Sequence, residues 1–91
     1  MARLTYSQAR STAISIAKEN NCGNVILIYK DAGGNFKDKL LKDGDTICYT
    51  GIKAIVWHDM TTGLVKTEVS RETIANFLES MNINMVYAKF A

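Results

Sequence analysis

The run Asn24-Val25-Ile26-Leu27-Ile28-Tyr29-Lys30 constrains this chain more than any other segment. It is apolar at consecutive positions and rich in β-branched residues, too short for a free helix, and as a strand it would be apolar on both faces. Such a strand belongs in the middle of a sheet. The neighbouring sequence supplies its partners. Asp31-Ala32-Gly33-Gly34-Asn35 is a turn by composition, Phe36 to Leu41 a short charged strand, and Asp43-Gly44-Asp45 a second turn. Thr46-Ile47-Cys48-Tyr49-Thr50 follows as a third strand, after which Gly51 reads either as a bulge or as half of a tight hairpin turn. Ile52 to His58 and Leu64 to Val69 are two more strands joined through Met60-Thr61-Thr62-Gly63.

Two segments carry helical periodicity instead. In Ser7 to Asn20, the residues Tyr6, Ala9, Ala13, Ile16 and Ala17 fall on one thin, alanine-rich stripe, with Gly23 available to end the helix. Further on, Ser70 is a natural N-cap, Glu72 sits where the helix dipole favours an anion, and Ile74, Phe77, Leu78 and Met81 recur at i, i+3, i+4, i+7. Asn82 closes this helix, and Ile83 to Phe90 is a last strand that must return to the sheet to bury its apolar side. The order predicts a two-layer α+β domain: a mainly antiparallel sheet of about five or six short strands with two helices. At 91 residues, a single domain spanning residues 1–91 is expected.

Composition excludes several classes. With 47% hydrophobic and 22% charged residues the chain is unlike a disordered or membrane protein, and no apolar run approaches the roughly 20 residues needed to span a bilayer. The opening Met1-Ala2-Arg3-Leu4-Thr5-Tyr6 has no apolar core of a signal peptide, so a cytoplasmic location is expected. Cys22 and Cys48 are then two free thiols, without a C-x-x-C or Cys/His spacing.

No spaced catalytic or metal constellation emerges. Cys48, His58 and Asp59 offer the residue types of a thiolate site. If residues 46–58 form one strand, however, Cys48 and His58 stand about 33 Å apart, and a hairpin at Thr50-Gly51 still leaves roughly 16 Å between them. One histidine and two distant cysteines cannot give zinc four ligands, and Asp43-Gly44-Asp45 lacks the later ligands of a calcium loop. Gly33-Gly34 follows a strand but opens no helix, so no helix N-terminal amides face a phosphate. The expectation is a non-enzymatic protein without cofactor or metal.

Charge names no partner either. Eleven basic against nine acidic residues leave a net +2, which traces to Arg3, Arg10 and Lys18 against Glu19. The basic segment Lys30, Lys37, Lys39 and Lys42 is cancelled by Asp31, Asp38, Asp43 and Asp45. A double-stranded-RNA-binding domain shares the helix–three-strand–helix order, yet the second helix here begins Ser70-Arg71-Glu72-Thr73, without a lysine cluster for phosphates. Nucleic-acid binding is therefore the alternative, behind protein binding.

Strand parity places Ile52, Ala54 and Val56 on one face and Lys53, Ile55, Trp57 and Asp59 on the other. If both helices lie on a single side of the sheet, the second set faces water. An Ile55–Trp57 pair ringed by Lys53, Asp59 and Lys66 would then be a partner-binding anchor with a polar rim. If instead a loop or helix covers that face, Trp57 is core.

Thr5-Tyr6-Ser7-Gln8-Ala9-Arg10 running into Ile16-Ala17-Lys18-Glu19 resembles the helix opening of some small phage-encoded anti-CRISPR proteins, over Thr5 to Gly23. The resemblance implies a compact inhibitor that occupies a surface of a bacterial defence complex. It carries over no functional residue.

Overall fold

The computed structural model describes residues 5–19 and 24–90. Its elements are α1 (Tyr6–Glu19), β1 (Val25–Lys30), β2 (Phe36–Leu41), β3 (Thr46–Asp59), β4 (Leu64–Glu68), α2 (Arg71–Ser80) and β5 (Asn84–Phe90). The α+β class, the two helices and a mainly antiparallel sheet of five strands are as the sequence predicts. Gly23, the expected terminator of α1, and Cys22 lie outside the described residues.

The two segments on either side of Gly51 form one strand of 14 residues, so the bulge, not the hairpin, is the outcome at that glycine. This long β3 organises the sheet. Along one edge it pairs antiparallel with β1, which in turn pairs with β2. Ile52 faces Tyr29 of β1 and Phe90 of β5, which places β5 on the opposite edge. There β4 pairs antiparallel with residues 55–59, while β5 runs parallel to residues 46–52. The last strand thus returns as expected, but parallel, because the β4–α2 crossover separates it from β3.

The helices lie on opposite faces of the sheet, correcting the one-sided placement considered above, and each builds a helix-on-sheet layer with its own core. Ala9, Ala13 and Ala17 of α1 meet Ile26, Ile28, Ala54 and Val56. Alanines spaced four apart let the helix axis approach the sheet closely. On the other face Ile74 and Leu78 of α2 meet Val25, Leu27, Leu41, Ile47, Ile52 and Ile55. Ile74 and Leu78 are fully buried, each contributing about 1.5–3 kcal/mol relative to exposure.

The start of α1 and both ends of α2 are built from local hydrogen bonds. At the start of α1 the Thr5 hydroxyl accepts from the Gln8 amide (3.2 Å), and the Gln8 side-chain oxygen accepts from the Thr5 amide (2.8 Å), a reciprocal capping box. Ser70 caps α2 by accepting from the Thr73 amide at 3.5 Å. At its far end Asn82 turns left-handed (φ 58°), and the Ile83 amide donates to the Leu78 carbonyl while the Asn82 amide donates to that of Glu79. This Schellman arrangement tucks Ile83 into the α2 core. The Gly44 amide then donates to the Met81 carbonyl and the Asn84 amide to that of Asp45, tying the β2–β3 turn to the start of β5.

Candidate functional site

A second irregularity in β3 redistributes the residues expected to form a surface. Ile28 pairs with Ala54 but Tyr29 with Ile52, leaving Lys53 as an extra, bulged residue. Parity therefore reverses across it. Ile52 joins Ile55 and Trp57 in the α2-side core, whereas Ala54 and Val56 face α1. Lys53 swings to the α1 side, its ammonium 6.0 Å from the Tyr6 ring centroid, and so leaves the set it was expected to rim.

Ile55 is fully buried and cannot act as a surface anchor. Trp57 is half-buried, its ring 4.7 Å from that of Phe77 on α2, so the helix covers much of the face that was expected to meet water. An exposed Ile–Trp pair does not exist.

The other two expected residues do come together. Trp57 pairs across the ladder with Lys66, and Asp59 with Leu64, placing all four on one face at the β3–β4 end of the sheet. The Lys66 ammonium lies 2.7 Å from Asp59, whose second oxygen accepts from the Thr61 amide at 2.9 Å. The hydrogen bond from Lys66, followed by that from Thr61, holds the Asp59 carboxyl below its ordinary value. Beside this pair Leu64 is 62% and Met60 59% exposed. The sequence pattern hid Leu64, since an apolar residue at a strand end reads as core, whereas Met60 stands in the joining loop.

The hairpin itself is fixed by the Gly63 amide donating to the Asp59 carbonyl at 2.8 Å. His58 Nε2 lies 3.1 Å from the Gly63 carbonyl oxygen, an acceptor, so Nε2 donates; Nδ1 is buried with no hydrogen-bond partner among the described residues. Cys48 is exposed and on the same continuous strand as His58, ten positions away. The one-strand geometry thus applies, and the two do not form a thiolate pair. Among the described residues no cluster of three metal-ligating side chains and no pocket is found, and no helix is long and apolar enough to cross a membrane.

For nucleic acid, the best ring platform is Tyr29 and Tyr49, with centroids 4.5 Å apart. Burial, then the Tyr49 phenol, pushes the Tyr29 hydroxyl pKa up. Its neighbouring cation Lys37 is 3.4 Å from Asp31, which accepts the Asn35 and Gly33 amides, so the charge beside the rings is balanced. Arg10 and Lys18 are exposed on α1, away from these rings, and Arg3 lies outside the described residues.

No family model, curated protein or solved structure matches this chain.

Proposed function

We propose that the protein is a small, non-enzymatic protein-binding module that docks through the β3–β4 end of its sheet. The observation that carries this reading is Leu64, 62% exposed and on the same face as half-buried Trp57, with the Asp59–Lys66 pair alongside. An apolar centre with a charged rim is the arrangement of a binding anchor, and Met60 extends the centre. A standard interface buries about 800 Å² per partner, so the hairpin end anchors a larger footprint. A surface-occupying inhibitor, the role implied by the resemblance of the first helix, needs nothing beyond such a footprint.

The test is capture from a bacterial lysate on immobilised protein, with bound proteins and nucleic acids both identified. Leu64→Asp should weaken the captured protein by more than about 2 kcal/mol, roughly thirtyfold in Kd, and leave the fold intact because the side chain is exposed. Glu79→Ala should bind as wild type. Capture that Leu64→Asp does not diminish, or capture of nucleic acid that falls steeply with salt, overturns the reading.

A further inference from the structure

The methionines among the described residues, Met60, Met81 and Met85, are not alike. Met81 and Met85 are partly buried against the α2-side core, filling gaps as methionine usually does. Met60 packs into neither core cluster and is 59% exposed. The loop that carries it is nevertheless built. The Gly63 amide donates to the Asp59 carbonyl at 2.8 Å, the Thr61 amide to the Asp59 carboxylate at 2.9 Å, and the Leu64 amide to the Thr62 hydroxyl at 3.4 Å. None of these bonds involves the Met60 side chain, so chemistry at its sulfur leaves the loop standing.

We propose that Met60 is an oxidation site, taking one oxygen atom from a peroxide, and that its sulfoxide switches off docking at the β3–β4 tip. The step balances without a cofactor. The thioether sulfur gives an electron pair to one peroxide oxygen, the O–O bond breaks as the S–O bond forms, and the other oxygen of hydrogen peroxide leaves as water with both hydrogens. Sulfur is oxidised and the peroxide reduced. The product is polar where the thioether was apolar, and sulfoxide reductases restore it, so the change is reversible. Beside Leu64 the new oxygen would be buried against a partner's apolar surface without a hydrogen bond, which opposes docking. At Met81 or Met85 the same oxygen would enter the core and damage the fold; at Met60 it alters the surface alone. The loss of docking rests on the function proposed above, whereas the selectivity of oxidation rests on exposure.

Graded hydrogen peroxide on the native protein, followed by peptide mass mapping, reads the site. Met60 should gain its oxygen before Met81 and Met85, with Tm unchanged. Oxygen arriving at Met81 or Met85 as early as at Met60 overturns the proposal, as does a Tm that falls with peroxide in the wild type but not in Met60→Leu. Binding of the captured protein, measured after peroxide is removed, reads the switch. Oxidised wild type should bind more weakly by about tenfold in Kd and recover on treatment with methionine sulfoxide reductase. Met60→Leu, compared with its own untreated sample, should show no change. If peroxide weakens Met60→Leu as much as wild type, another residue such as the exposed Cys48 thiol is responsible and the switch is overturned. Undiminished binding by the oxidised wild type overturns it too, provided Leu64→Asp still weakens capture. Capture that Leu64→Asp leaves undiminished overturns the docking surface and the switch with it, a failure told apart because oxidation still begins at Met60.

Discussion

Gly51 sits in β3 with a left-handed φ of +69°, and a Cβ built there would stand 2.6 Å from the Lys30 carbonyl oxygen and 3.2 Å from Lys30 Cβ. Both obstacles belong to β1, and the closer one is backbone, which cannot rotate away as a side-chain tip could. Gly63 provides the control: its φ is +75°, and nothing lies within 4 Å of its Cβ position. Alanine at either site meets the left-handed penalty of about 1–2 kcal/mol. At Gly51 it must also push β1 from β3, an overpacking cost of about 1–3 kcal/mol. Gly51→Ala should therefore lose about 2–5 kcal/mol and Gly63→Ala about 1–2, out of a total stability on the order of 5–14 kcal/mol for a chain this size. Urea denaturation followed by circular dichroism reads both, a shift in midpoint at constant slope reporting stability alone. Equal losses for the two variants would refute the argument that close approach to β1, rather than φ alone, requires glycine at position 51.

The α2 face gives a second contrast. Leu78→Ala should cost about 2–5 kcal/mol because the side chain is fully buried, while exposed Glu79→Ala should stay within about 0.5 kcal/mol; equivalent thermal melts would mean that the helix is turned to the wrong face. Phe77 is only partly buried against Trp57, so truncating it should cost less than the 3–5 kcal/mol typical of a fully buried ring. Asp59 gives a pH signature. Its depressed pKa means that its contribution is present above the ordinary carboxylate value of about 3.9 and is lost as pH falls through the lower folded value. The difference in Tm between wild type and Asp59→Asn should therefore shrink on acidification below about pH 4, and a difference constant with pH would refute the pairing.

Elements with strong periodicity or chemistry were legible in the sequence. The i, i+3, i+4, i+7 stripe and Ser70 cap locate α2, and Asn82 does close it, through the left-handed φ that asparagine tolerates. The apolar stripe alone sets α1 from Ser7, and the reciprocal Thr5–Gln8 capping box moves its start one residue earlier, to Tyr6. The parallel pairing of β5 was not visible, because which edge a returning strand chooses depends on the crossover and on the contacts of Gly44 and Asn84 with distant carbonyls.

The misplaced surface has a more instructive cause. Parity arguments assume an unbroken strand, and one bulge at Lys53 sends that lysine to α1 while keeping Ile55 and Trp57 under α2. Yet Ala54-Ile55-Val56 is apolar at three successive positions, as Val25 to Ile28 is at four. A strand apolar on both faces needs cover on both faces. Two adjacent strands of that kind cannot be satisfied by helices stacked on one side, so α1 and α2 must divide between the faces, and Ile55 must be buried whichever way the strand turns. The large apolar side chains left exposed among the described residues are then Met60 and Leu64 at the β3–β4 tip, Val69 just after β4, and Val86 and Tyr87 on β5.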